Sequence, residues 1–232
     1  MSKKRETAKQ PAPPSRLPFV IIACVLVIAI AAGAWWWRGA RGGHATGAIA
    51  AGAPGAQPPH ATGREGAPLV LEEFGDYQCP PCGNFYPEVE RLRADYGDRL
   101  RLVFRQYPLT QAHPNALVAA HAAEAAGQQG KFWEMHDRLF RNQREWSKEG
   151  DPRTTFETYA RALGLDVARF TRDMGGAEVD ARVVADHERA KSLGVTSTPT
   201  FFLNGRELSP DKLKTPADLR MALDATLAGK SF

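Results

Sequence analysis

Cysteine is scarce in this sequence, with three residues among 232. A structural zinc site takes four ligands, commonly two Cys-x-x-Cys pairs or one such pair with two paired histidines. Only one pair is present, Cys79 with Cys82, and His113, His121, His136 and His187 lack the spacing of a second pair. A basic stripe is missing as well. Residues 1–66 carry eight Lys and Arg against two Asp and Glu, while residues 67–232 carry 22 against 24. The body has nothing to lay along a phosphate backbone, so nucleic acid is excluded as a partner. There is no internal repeat.

One long apolar run is present. Leu17–Trp37, LPFVIIACVLVIAIAAGAWWW, is 21 residues without a charge. That length crosses a hydrocarbon core of about 30 Å as a helix. Lys3, Lys4, Arg5, Lys9 and Arg16 precede it, and only Arg38 and Arg41 follow closely. The imbalance makes residues 1–16 a cytoplasmic tail and puts the body outside. Two other readings exist. Ala32-Gly33-Ala34 has the form of a signal-peptide cleavage site. Ile21-Ile22-Ala23-Cys24 faintly resembles a lipoprotein box, although the apolar run continues past it. Each reading delivers the body to the same oxidising side of the membrane. Residues 38–66, with eight Gly, eight Ala and three Pro, read as a flexible tether that includes His44 and His60.

The folded body is expected from Ala67. PLVLEEF reads as a buried strand ending just before the cysteines. Phe85, Val89, Leu92 and Tyr96 then mark one face of a helix that stops at Gly97-Asp98. Leu100, Leu102 and Phe104 alternate with charged neighbours, as in a second strand. Helices follow: an Ala-rich one from Asn115, one carrying Phe132, Met135, His136, Leu139 and Phe140, and one carrying Phe156, Tyr159 and Leu163. The next is capped by Asp166, and the last carries Val179, Val183, His187 and Leu193. VTSTPTFFLNGRELS returns to strand, with Asn204-Gly205 as a hairpin turn. Thr215-Pro216 opens a final helix. The order is βαβ, about 80 helical residues, then ββα.

Three readings of Cys79 and Cys82 stand at this point: a metal site, a structural staple and a reactive dithiol. The metal lacks ligands. The staple closes a tiny loop, which constrains an unfolded chain weakly. A reactive dithiol fits best. Cys79 sits at the start of a helix, where unpaired N–H groups and the helix dipole favour a thiolate, and Cys82 lies one turn on, placed to resolve a mixed disulfide.

The segments EEFGDYQCPPC, FRQYPL…HPNALVAAHAAEAAGQQGKFWEMHDRLF and GVTSTPTFFLNGREL together resemble the DsbA-like branch of the thioredoxin superfamily, from about residue 67 to the end. The resemblance implies an α/β thioredoxin fold, βαβ–ββα, with a helical insertion over about 113–194, behind a transmembrane helix at 17–37 and a linker at 38–66. It implies a cis Pro199 after Thr198, exposing the Thr198 backbone to an extended peptide. It implies a buried acid at Glu73 that moves a proton for Cys82, with Glu72 as the alternative. Phe74, Tyr77, Phe132 and Trp133 line the groove in this likeness, or simply fill the core. Strongly oxidising members carry a histidine before the second cysteine. Pro81 stands there, and Pro80 and Pro81 delete two N–H groups, leaving the amides of Cys82 and Gly83 nearest the sulfur. A weaker oxidant is the expectation.

The implied function is extracytoplasmic thiol–disulfide exchange at a bacterial inner membrane, most simply disulfide formation, with no organic cofactor or metal. Its partners would be exported proteins with cysteines and a quinone-linked, DsbB-like membrane oxidant, and the chain would be a monomer. A reductase or isomerase kept reduced by another membrane carrier is the alternative within the class. A non-catalytic peptide-binding module and a copper metallochaperone are the alternatives outside it.

Overall fold

The structure is a computed structural model and describes residues 54–232. The basic tail 1–16, the apolar run 17–37 with Cys24, and the linker up to residue 53 lie outside the described residues. Among the described residues no helix is long and apolar enough to cross a membrane.

Five strands form one mixed sheet in the order β1-β3-β2-β4-β5. They are β1 (His60–Thr62), β2 (Leu69–Gly75), β3 (Leu100–Gln106), β4 (Thr200–Leu203) and β5 (Arg206–Glu207). β2 pairs in parallel with β3 and antiparallel with β4, and all seven of its residues are buried. A strand buried on both faces reads as a continuous apolar run, which accounts for Leu69-Val70-Leu71. The crossover between β2 and β3 is α1 (Pro80–Tyr96), with its two prolines in the first turn. The hairpin from β4 to β5 turns on Asn204 and Gly205, at φ 50° and 77°. Both values are positive, the geometry that suits Asn-Gly. α8 (Pro216–Leu227) opens with a capping box between Thr215 and Asp218.

Successive strand side chains point to opposite faces. On one face Leu69, Leu71, Leu100, Leu102, Phe201 and Leu203 pack against Val89, Leu92 and Tyr96 of α1 and Leu219, Ala222 and Leu223 of α8. The insertion between β3 and β4 comprises α2 (Ala116–Gly127), α3 (Phe132–Arg141), α4 (Gln143–Trp146), α5 (Arg153–Ala162), α6 (Val167–Met174) and α7 (Ala177–Ser192). Its aromatic and Ala-rich core runs on to Cys79, Cys82 and Tyr86. The five expected residues of α3 are all buried, and Asp166 caps α6 through the Arg169 amide.

Three expectations need correction. The body begins before Ala67, because part of the 38–66 tether is folded. β1 pairs with β3, Ala56 is buried, and His60 stacks on Phe132 with ring centroids 3.4 Å apart. The Gly/Ala/Pro composition brings little apolar surface, but charged groups of the body hold the segment's backbone. Arg105 binds the Ala56 carbonyl, Asp186 the Ala56 amide, and Arg182 the Gln57 and Pro58 carbonyls. The pairing also covers an edge that β3 would otherwise expose.

The charged residues of β3 do not all face water. Arg105 is fully buried, with Nε 2.8 Å from Glu72 and Nη1 2.9 Å from Asp186, because α7 covers that face of the sheet. Nor is the inner face of α7 the apolar stripe expected. His187 and Leu193 are exposed, and Asp186 and Arg189 are buried beside Val179 and Val183.

Candidate active site

β2 ends at Gly75, and the chain then turns sharply into α1. Asp76 builds the turn. Its Oδ1 accepts the Gln78 amide at 2.7 Å, and its carbonyl accepts the Cys79 amide at 3.1 Å. Asp residues favour such local turns because the short side chain reaches the amide two positions on. The other carboxylate oxygen accepts from the Leu109 amide and from His113 Nδ1 at 2.6 Å. Gln78 reaches into the insertion, accepting the Asn115 amide and donating to the Ser147 carbonyl. Gln143 donates to the carbonyls of both Tyr77 and Cys79. The loop carrying the cysteines is therefore held from the insertion as well as from the sheet.

Cys79 is the N-cap of α1, with φ −68° and ψ 120°. Both cysteines are free thiols, Cys82 wholly buried and Cys79 4% exposed. The Cys79 Sγ–H donates to the Thr198 carbonyl at 3.4 Å, and the Thr198–Pro199 peptide is cis. The structure thus brings Cys79, Cys82, Thr198 and Pro199 together, 119 residues apart in sequence between Cys79 and Thr198. Pro80 and Pro81 are exposed.

The two thiols are unequal. A hydrogen bond from the Cys82 thiol is the main influence that draws the Cys79 pKa down, to about 6. The Thr198 side chain and the Cys82 amide act in the same direction, while burial and the Asp76 charge oppose them. Burial pushes Cys82 well above the ordinary thiol range, and the neighbouring Cys79 adds to it. The prolines leave fewer donors than their sequence positions suggest. The Gly83 amide is bonded to the Cys79 carbonyl at 3.2 Å, so of the two amides expected near the sulfur only that of Cys82 serves it.

Sheet alternation separates the two adjacent glutamates. Glu73 lies between Phe104 and Phe201 in the register, on the face that bears α1. It is 2% exposed, and burial first, then the Cys79 charge, raise its pKa to about 8. Glu72 points to the opposite face, where Arg189 donates to both of its oxygens at 2.7 Å and Arg105 to one. Glu73 is thus a neutral acid at pH 7 beside the thiols, and Glu72 belongs to an ion network. Phe74 and Tyr77 are fully buried core, Phe132 packs on His60, and Trp133 is half-buried under the Arg93 guanidinium, so none of the four forms an open groove wall.

Among the described residues no group of three or more His, Cys, Asp and Glu is placed to hold a metal. Sequence reasoning passed over Asp76, His113, Gln78 and Gln143. Asp76 carries a signal, an Asp two residues before a loop amide. Gln143 carries none, since its partners lie 64 and 66 residues away.

The chemistry of such a pair is set by the thiolate fraction. Alkylation of Cys79 is expected to rise with pH through a midpoint near 6 and level off above it. Cys82 should remain unlabelled in the folded chain. Timed iodoacetamide labelling with peptide mapping from acid to alkaline pH checks this, and a midpoint at the ordinary value of about 8.5 contradicts it.

Comparison with known proteins agrees with this fold. The profile of the family described as thioredoxin matches residues 56–225. A thioredoxin-like oxidoreductase from Silicibacter pomeroyi is 30% identical, with a TM-score of 0.61 over 75% of this chain and 94% of that one. The fold of Wolbachia pipientis alpha-DsbA1 is similar, with a TM-score of 0.63 over 75% and 93% at 20% identity. A protein of Mycolicibacterium vanbaalenii named Na(+)/H(+) antiporter NhaA 1 is 41% identical over 175 residues. That match covers 74% of this chain but only 26% of the relative, so the chain spans about a quarter of the antiporter's length.

Proposed function

We propose that this chain, which belongs to the thioredoxin family, works as a thiol–disulfide oxidoreductase of the DsbA type, with Cys79 as the exchanging sulfur. The observation that carries the reading is the inequality of the two thiols at the start of α1. Cys79 is drawn down to about 6 and meets the Thr198 carbonyl, while Cys82 is buried and pushed up. Exchange needs one sulfur that attacks and leaves easily and a second that returns to it.

In the oxidising direction a client thiolate attacks Sγ of Cys79 in the Cys79–Cys82 disulfide. A client–Cys79 bond forms, and Cys82 leaves as a thiolate. Glu73, a protonated acid at neutral pH, supplies the proton to that poor leaving group. A second client thiolate then attacks the client sulfur and expels Cys79 as a stable thiolate. The client gains a disulfide, and the chain gains two electrons. Thr198 and Pro199 hold the extended client strand beside Cys79.

Clients in this reading are exported proteins with cysteines. The apolar run 17–37 and its basic flank support an inner-membrane anchor with the body outside, and a quinone-linked membrane oxidant would recharge the pair. No metal or organic cofactor is needed.

The potential follows from the thiolate. Strong oxidants of this type have an attacking pKa of about 3.5 and a potential near −120 mV, whereas thioredoxin has a pKa of about 7 and a potential near −270 mV. A Cys79 pKa of about 6 lies between. We expect a potential near roughly −200 mV from equilibration of the full chain with glutathione. A value near −120 mV contradicts the proline argument. A value near −270 mV makes the chain a reductase and redirects the search for its membrane partner.

A further inference from the structure

Gln143 stands on α4, the shortest helix of the insertion, and is only 8% exposed. Its Nε2 donates to the Tyr77 carbonyl at 2.8 Å and to the Cys79 carbonyl at 2.7 Å. A primary amide has two N–H groups, so both are committed to the backbone on either side of Gln78. The fit is close. A Cβ on Gly83 would run into the amide oxygen of Gln143. Glycine at position 83 is what lets the amide approach the first turn of α1.

We propose that Gln143 is a positioning residue for the Cys79 sulfur, acting through these two carbonyls. The inference rests on the reading of Cys79 as the nucleophile. Cys79 is an N-cap whose side chain makes no capping bond, so the one local hold on the peptide plane that follows it is the Gly83 amide, 3.2 Å from the Cys79 carbonyl. Pro80 and Pro81 have no N–H, and the Gly83 amide is taken by the Cys79 carbonyl. The sulfur therefore depends on one main-chain donor, the Cys82 amide. Rotation of the Cys79 carbonyl turns the start of α1 and moves that donor out of line, and hydrogen bonds weaken steeply with misalignment. Gln143 holds the carbonyl from the far side. It also pairs the carbonyl of Tyr77, which would otherwise present an unpaired oxygen in the same buried loop. Gln143 does not touch the sulfur and is not a catalytic residue.

The test uses the full chain and the ultraviolet absorbance of the thiolate as a function of pH. Gln143→Met keeps the length of the side chain and removes both donors. We expect about a tenfold fall in the thiolate-to-thiol ratio at a fixed pH below the midpoint, equivalent to about one pH unit. Gly83→Ala should move the titration in the same direction, because its methyl displaces the amide. In a Gln143→Ala background the methyl has room, so adding Gly83→Ala should change the midpoint no further.

A Gln143→Met chain that melts at a lower temperature with an unmoved titration overturns the proposal, because a packing role alone predicts that result. Equal and additive shifts from the two positions overturn it too. If Gln143→Met does not fold, the Gly83→Ala titration decides, and an unshifted midpoint is fatal. A parent midpoint near the ordinary thiol value of about 8.5 would sink the nucleophile reading itself. It is seen before any variant is made, and it removes the proposal with it.

Discussion

Replacement of Cys79 by Ser should lower the rate of disulfide exchange with a cysteine peptide by more than about a thousandfold, the scale on which loss of a nucleophile acts. A hydroxyl at that position is neither ionised at neutral pH nor able to form the mixed disulfide. Cys82→Ser should fail differently. Cys79 keeps its place at the helix start and its bond to the Thr198 carbonyl, but it has no internal sulfur to release its partner. A chain carrying Cys82→Ser should therefore accumulate a covalent complex when challenged with an oxidised peptide, visible as a mass increase equal to one half of the peptide disulfide. Mass spectrometry under acid quench distinguishes the two. Trapping by the Cys79→Ser chain instead of the Cys82→Ser chain would reverse the assignment of roles.

The second large effect lies away from the cysteines. Arg105 is fully buried, with Nε on Glu72, Nη1 on Asp186 and the same Nη1 on the Ala56 carbonyl. Arg105→Met leaves Glu72 with Arg189, but it leaves Asp186 with only the Ala56 and Gln106 amides. Asp186 is already raised by burial, and Arg105 is the first of the groups that oppose the rise, ahead of the Ala56 and Gln106 amides. Breaking one partner of a buried pair costs about 3–5 kcal/mol. For a chain of this size that lowers the melting temperature by about 10 °C. Residues 54–58 should loosen at the same time, since Arg105 holds their backbone. The Cys79 titration should stay in place, because the network occupies the opposite face of the sheet. A fall of less than about 3 °C in a thermal scan, roughly 1 kcal/mol, would mean that water or rearrangement replaces the arginine.

Much of the frame was legible in sequence because it rests on local rules. Pro-Pro after Cys79, Asn204-Gly205 and the Thr215–Asp218 box act within four residues, and all three do what their chemistry requires. The apolar spacing of α3 was equally readable, since one side of that helix meets a core. The cysteine pair could be found because two thiols at that spacing have few uses. What escaped depends on which side of the sheet another element covers. Charged neighbours in β3 read as a wet face, and only the packing of α7 turns Arg105 inward. The tether around Ala56 and His60 has no periodicity, so its attachment is invisible until Arg105, Asp186, Arg182 and Glu124 are in place. Glu72 and Glu73 are the same residue type side by side, and only the sheet direction tells them apart.

That adjacency makes the register of β2 decisive for what each glutamate meets. A strand slipped by one residue against its neighbours turns every side chain to the other face. In β2 such a slip would carry Glu73 to the arginines and leave Glu72 beneath the cysteines, with the sequence still offering a glutamate on each side. Apolar contacts discriminate poorly here, since Leu69, Val70 and Leu71 suit either face. Arg105 and Arg189 together bind the carboxylate of Glu72 through three short bonds, and a strand slipped by one residue would offer them the carboxylate of Glu73 instead. The charged cluster therefore cannot tell the two registers apart, and the alignment of β2 rests on its pairing with β3 and β4. That alignment decides which glutamate meets the arginines and which lies buried on the face that bears α1.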